Sequence, residues 1–133
     1  MRGEVAVHVV YEDERFLAFL DHRPLFPGHA LLVPREHVET LLDAPRELLG
    51  PLLEATQRLS VAVRDAMEAD GVFNAVNNVV SQSVPHLHVH VVPRRRKDGL
   101  RGFFWPRTKY ASEEEAREVA DRIRALSQPG QGV

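Results

Sequence analysis

The sequence contains no cysteine, and this absence excludes several kinds of site. The chain has no disulfide, no thiol nucleophile and no cysteine-ligated zinc. It also has no apolar run close to the roughly 18 residues that indicate a transmembrane helix. The net charge is only −2 at pH 7, so there is no overall attraction to nucleic acid. We therefore expect neither a membrane nor a nucleic acid as partner.

What is present is typical of one ordinary globular domain. The 133 residues are 44% hydrophobic and 27% charged. A chain of this length and composition can form a hydrophobic core without disulfide bonds or a structural metal. The first residues, Met1 to Glu4, lack the apolar centre of a signal peptide, so we expect a cytoplasmic location.

Hydrophobic periodicity predicts five strands and two helices. The long first helix begins at Asp43 or Ala44 and carries an apolar stripe at helical spacing as far as Met67. The second follows a capping box at Ser112 and Glu115. The sum is an α+β fold with a mainly antiparallel sheet. The strands are predicted at Val5–Tyr11, Arg15–Asp21, Ala30–Pro34, Val72–Val79 and His86–Pro93.

The fifth predicted strand carries an unusual row of histidines. His86, His88 and His90 alternate with aliphatic residues. Because alternate side chains of a strand share a face, three imidazoles would line one face over about 13 Å. Imidazole acts as a nucleophile, acid, base or metal ligand near neutral pH. The row therefore predicts a chemical site.

A metal site is one interpretation of this row, since His-x-His on a strand is a common start for zinc or iron. However, the nearest downstream acid is Asp98, beyond the basic run Arg94–Lys97. That run is either a solvated loop or a basic lip that attracts polyphosphates. We therefore predict a site without metal and keep a small His-ligated metalloprotein as an alternative.

The same segment carries a family resemblance. His86–Val92 resembles the signature of the histidine triad (HIT) family, His-φ-His-φ-His-φ-φ with φ apolar. The resemblance extends over about residues 3–95. It implies a HIT-like fold in which two copies pair into a ten-stranded sheet. We accordingly expect a HIT domain over residues 1–110, its C-terminal helix over 111–127 and a flexible tail over 128–133. The other segments that resemble the family are Val9–Asp13, Ala18–Asp21, Pro27–Val38 and Gln82–Pro85.

The resemblance also implies a reaction. HIT proteins are nucleotide hydrolases and nucleotidyl transferases that act at the α-phosphate of nucleoside phosphoramidates, dinucleoside polyphosphates or aminoacyl adenylates. His88 matches the nucleophile, which forms a nucleotidyl-histidine, and His90 matches the residue at the phosphate and leaving group. His86 and His29 match a supporting pair that we expect to orient its neighbours and to add positive charge. No cofactor is implied.

Polar residues around the triad match the family's substrate contacts. Asp21 corresponds to the ribose-binding position and Ser83 to the phosphate-binding hydroxyl. Many relatives have a longer loop before the triad, with a glycine where Ser81 stands here, so the choice between Asn77 and Asn78 stays open. A nucleotide-binding regulatory module with little turnover is a further alternative. The predicted substrate-binding residues are Asp21, Asn77, Asn78, Gln82 and Ser83.

Overall fold

The structure, a computed structural model, describes residues 7–101 and 106–127. Within these ranges the strands form one antiparallel sheet in the order β1-β2-β3-β5-β4. This confirms the predicted α+β fold of five strands and two helices. The elements are β1 (Val9–Glu12), β2 (Phe16–Leu20), β3 (Ala30–Pro34), the 3₁₀ turn Leu41–Asp43, α1 (Arg46–Ala66), β4 (Gly71–Ala75), β5 (Val89–Arg94) and α2 (Glu113–Ser127).

The chain divides into two compact units, Met1–Asp98 and Gly99–Val133. The first contains the sheet and α1, and the second contains α2. Within the described ranges, no helix is long and apolar enough to cross a membrane. The predicted tail at 128–133 and the aromatic residue Trp105 lie outside the described residues.

The core of the first unit lies between one face of the sheet and the apolar stripe of α1. Helix α1 packs on β5 and β4 and buries Leu48, Leu52, Leu59 and Val63, as the helical spacing predicts. Thr56 belongs to the same buried stripe, and its hydroxyl donates to the Leu52 carbonyl 2.9 Å away. The buried sheet residues that face this stripe include Phe16, Ala18, Ala30, Leu32, Val89 and Val91.

Helix α1 begins later than predicted because Leu41–Asp43 form a separate turn. Thr40 caps that turn and exchanges hydrogen bonds with Asp43, after which Ala44 and Pro45 are extended. Pro45 precedes the first helical residue, where its missing N–H is not needed. The helix ends at Ala66, and Glu68 then takes a φ of 53°.

The predicted strand His86–Pro93 is wrong at its start. Strand β5 begins at Val89, because the Leu87 N–H donates to the Val38 carbonyl, 2.7 Å away, instead of to a neighbouring strand. The alternation nevertheless extends back beyond the strand, since Leu87 is buried like Val89 and Val91. The histidines therefore face away from the core as predicted, although only His90 lies in a strand.

Candidate active site

The first part of the site joins two neighbouring strands. His29 directly precedes β3, and His90 lies on β5 opposite Leu31. This register brings His29 Nε2 to 3.0 Å from His90 Nδ1, although the residues are 61 positions apart in the chain. His29 is only 3% exposed, whereas His90 is half-buried.

The hydrogen bonds of His29 assign the protons of both rings. The Leu25 N–H donates to His29 Nδ1 over 3.0 Å, so in the neutral ring the proton is on Nε2. His29 Nε2 then donates to His90 Nδ1, and the proton of neutral His90 is therefore on its Nε2. Leu25, His29 and His90 form a donor relay that leaves the N–H of neutral His90 on Nε2.

The turn before β3 holds His29 in place. Gly28 has a φ of 99°, and a Cβ there would lie 2.7 Å from Met67 Cγ, so glycine suits both the conformation and the space. The Asp21 N–H donates to the His29 carbonyl at 2.9 Å. The largely buried Asp21 carboxylate accepts from the Arg23 N–H and has its second oxygen 3.6 Å from His29 Nε2.

The electrostatics of this pair favour neutral rings. Burial lowers the pKa of His29, and the nearby Asp21 carboxylate only partly opposes this shift. Burial likewise lowers the pKa of His90, with further lowering from the charges of His29 and His88. His29 therefore does not add positive charge near pH 7, contrary to the expectation from the resemblance. Its direct partner is His90.

His88 has the geometry of a nucleophile. Its Nδ1 lies 2.7 Å from the His86 carbonyl oxygen, which can only accept. The proton of neutral His88 is therefore on Nδ1, and Nε2 carries a free lone pair. The half-buried ring packs edge-on against His90, with 5.2 Å between the ring centroids.

His86 contacts different residues from those that contact His88 and His90. Its Nε2 donates to the Pro34 carbonyl at the end of β3, 2.8 Å away. Its ring also packs edge-on against His37, with 5.6 Å between centroids. These contacts fix the position of the His86 carbonyl and so, indirectly, the orientation of His88.

The predicted polar contacts all lie on the segment before the triad, apart from Asp21. Asn78 Oδ1 accepts from the Leu41 N–H at 2.8 Å, and Gln82 bonds to Val79 and to the Glu39 carbonyl. Ser83 is exposed, and its hydroxyl makes no hydrogen bond to another described residue. Asn77 is half-buried at the start of the loop.

The sequence does not show which backbone groups are the partners, namely the Leu25 N–H and the carbonyls of Pro34, Glu39 and His86. Every residue type except proline offers an N–H, and every residue offers a carbonyl, so no motif marks these positions. The signal exists only in the fold.

The histidines do not fit a resident metal. Among the described residues, potential ligand atoms lie within 4.8 Å of one another in Asp21, His29 and His90, not in the triad row. A metal-binding imidazole normally donates its other N–H to an acceptor. Here His29 Nδ1 instead accepts from the Leu25 N–H, which places a proton where a metal would need a lone pair.

The basic run Arg94–Lys97, which begins at the last residue of β5, is tied into a turn. Arg94 makes two hydrogen bonds to the Asp98 carboxylate, at 2.6 and 3.0 Å, and these interactions raise its pKa. Arg95 donates to the Met67 carbonyl, and the Arg96 N–H donates to Asp70. Arg94 and Arg95 therefore hold the turn together, and the exposed side chains of Arg96 and Lys97 remain candidates for a basic lip.

Comparisons with known proteins agree with this architecture. A crystal structure of a HIT family member from Bacillus subtilis superposes with a TM-score of 0.80 at 31% identity, covering 95% of this chain and 92% of that one. An uncharacterised HIT-like protein of Saccharolobus solfataricus is 36% identical over 120 residues, which is 88% of this chain and 83% of that protein. The adenosine 5'-monophosphoramidase HNT1 of Saccharomyces cerevisiae is 32% identical over 101 residues, covering 75% of this chain and 63% of that protein.

The sequence pattern of the HIT domain itself matches residues 2–97. This match spans the sheet, the relay and all three histidines of the triad. The chain therefore belongs to the HIT domain family.

Proposed function

We propose that the chain is a nucleotide hydrolase or nucleotidyl transferase that acts at the α-phosphate of a nucleoside phosphoramidate or a dinucleoside polyphosphate. The observation that carries this proposal is the hydrogen bond from His88 Nδ1 to the His86 carbonyl. It leaves Nε2 unprotonated and fixes its direction, which is what nucleophilic attack on phosphorus requires. A purely regulatory nucleotide-binding module has no need of an activated nitrogen.

The reaction follows from the two fixed tautomers. His88 Nε2 attacks phosphorus, the bond from phosphorus to the leaving nitrogen or oxygen breaks, and a nucleotidyl-histidine forms. The His88 ring becomes cationic, and its Nδ1–H bond to the His86 carbonyl stabilises that charge. His90 donates a hydrogen bond from Nε2–H to the phosphate or the departing atom, which takes a proton from solvent as it leaves. Water or another acceptor then attacks phosphorus, and the bond from phosphorus to His88 Nε2 breaks. The proton of the attacking group passes to solvent, and neutral His88 is restored.

Substrate binding uses the groups around these rings. The Asp21 carboxylate keeps acceptor capacity beyond the Arg23 N–H, so it can bind the ribose hydroxyls. The exposed Ser83 hydroxyl is available to a phosphate oxygen, and Asn77 lies at the start of the same loop. The relative from S. cerevisiae that is named an adenosine 5'-monophosphoramidase supports a phosphoramidate as the first substrate to test.

We also propose that two copies of the chain form a homodimer through β4. The proposed location of the protein is the cytoplasm. Strand β4 is an edge of the sheet, so its outer N–H and C=O groups can pair with a second copy. Beside it, α1 exposes Leu53 and Val61, whose exposed fractions are 71% and 44%. These residues share a groove with Asn74 of β4. Apolar side chains beside an open strand edge support pairing into a ten-stranded sheet.

Three substrates distinguish the possible reactions. The protein is incubated with adenosine phosphoramidate, a dinucleoside tetraphosphate and an aminoacyl adenylate, and the products are separated by chromatography. AMP plus ATP from the tetraphosphate indicates a hydrolase, whereas ADP plus ATP formed only with added phosphate indicates a phosphorylase.

The variant His88→Ala is compared with His8→Ala. His8 is an exposed histidine directly before β1, and two strands, β2 and β3, separate β1 from β5 in the sheet. We expect His88→Ala to abolish turnover and His8→Ala to retain it. Binding of nucleotides by the wild type without turnover of any of the three substrates would favour the regulatory module. Loss of activity after EDTA treatment would favour the metalloprotein.

A further inference from the structure

The loop that leads to the triad, residues 77–83, is strained. Val79 has a φ of 74° and Ser81 a φ of 64°. A positive φ is rare outside glycine, and for a β-branched residue such as valine it is an outlier. Such a conformation persists only where the surroundings enforce it, and it is concentrated at functional sites.

Hydrogen bonds of the Gln82 and Asn78 side chains hold the loop in this conformation. Gln82 Oε1 accepts from the Val79 N–H at 2.8 Å, and Gln82 Nε2 donates to the Glu39 carbonyl at 2.6 Å. Asn78 Oδ1 accepts from the Leu41 N–H at 2.8 Å. The loop is thereby bonded at two points to the segment 39–41, which precedes α1.

These bonds direct the polar end of Gln82 to the backbone. Its carbonyl oxygen and one of its N–H groups both have main-chain partners close to the ideal distance. Ser83, the residue next to Gln82, has its side chain exposed. Any movement of Gln82 therefore moves the hydroxyl that faces the phosphate in the proposed function.

We propose that Gln82 and Asn78 are positioning residues, which hold the strained loop in the shape that presents Ser83 and the adjacent backbone to the substrate phosphate. The inference rests on the proposed function, since it concerns the phosphate side of the same site. It assigns Gln82 to the loop rather than to direct contact with the nucleotide.

The first test compares Gln82→Met with Glu39→Ala. Methionine keeps the length of the side chain and removes both hydrogen bonds. Glu39→Ala removes an exposed side chain but keeps the carbonyl that Gln82 uses. We expect Gln82→Met to raise KM and the Kd for AMP about tenfold with kcat nearly unchanged, the scale of one to two lost hydrogen bonds. Glu39→Ala should match the wild type.

The second test is rescue by glycine. Glycine adopts a positive φ without steric cost, so Ser81→Gly removes the backbone strain at that position. The loop then needs fewer hydrogen bonds to keep its shape. We expect the double variant Ser81→Gly, Gln82→Met to regain most of the lost affinity for AMP. If Gln82 contacted the nucleotide itself, glycine at position 81 would restore nothing, and that result would overturn the inference.

Amide exchange measured by NMR reports on the loop directly. Gln82→Met should speed exchange of the Val79 amide, and Asn78→Leu should speed exchange of the Leu41 amide. Unchanged AMP affinity in Gln82→Met, with intact wild-type turnover, would overturn this inference and leave the proposed function standing. A wild-type chain that neither binds AMP nor turns over any substrate would defeat both.

Discussion

The relay from Leu25 through His29 to His90 makes a quantitative prediction for His29→Leu. Leucine has similar bulk but neither accepts from the Leu25 N–H nor donates to His90 Nδ1. His90 then loses the neighbour that fixes its tautomer. We expect a loss of both stability and catalysis, in amounts that the geometry sets.

The stability loss follows from the groups left without partners. Each lost hydrogen bond contributes about 1 kcal/mol, and each buried group left unsatisfied costs about 1–3 kcal/mol. Two bonds are lost here, but only His29 itself is fully buried, so we expect a decrease of about 2–4 kcal/mol in the free energy of unfolding. That is a large part of the roughly 5–15 kcal/mol of a typical domain.

The catalytic loss follows from the proton position on His90. A positioned acid or base contributes about 10²–10⁴-fold to rate, so kcat should fall by at least about 10²-fold. Urea denaturation and steady-state kinetics measure the two effects. His29→Gln keeps an N–H donor and should recover part of kcat. The kcat of His29→Leu is measured under conditions in which the variant is fully folded. A value within about threefold of wild type would refute the catalytic role of the relay.

Three further predictions concern pH, the core and the dimer. The pKa values of His29 and His90 are lowered in the folded chain, so the unfolded chain binds protons first as pH falls below about 6.5. The free energy of unfolding, measured by urea denaturation, should therefore be highest above that pH and decrease below it. This decrease should be smaller in His29→Gln. Leu48→Ala in the core should lower the free energy of unfolding by about 2–5 kcal/mol, measured in urea, with kcat unchanged. Leu53→Asp beside β4 should give a monomer by light scattering, whereas Val10→Asp on the opposite edge strand should leave a dimer; the reverse result would move the interface to β1.

The periodic features of the fold could be predicted from the sequence. Leu87, Val89 and Val91 alternate with polar residues and are all buried, and the stripe of α1 is buried as its spacing predicts. Element ends could not be predicted equally well. The start of β5 depends on the Leu87 N–H, which bonds to Val38, a residue far away in the chain.

The candidate residues were accessible from the sequence, but their roles depend on topology. The triad and His29 stand out as residues, yet only the pairing of β3 with β5 joins His29 to His90. The proton assignments depend on main-chain groups of Leu25 and His86, which no side-chain pattern reveals. Gln82 is a candidate residue from the sequence alone, and its bonds to Val79 and Glu39 depend on the fold.

The central claim is that His88 Nε2 becomes bonded to the nucleotide. It is tested by rapid mixing of the protein with adenosine phosphoramidate, quenching in alkali, which preserves phosphorus–nitrogen bonds of histidine, and peptide mapping by mass spectrometry. The account predicts one adenylyl group on His88 at early times, and none in His88→Ala. Sustained turnover with the adenylyl group on another residue, or with none on any residue, would contradict it.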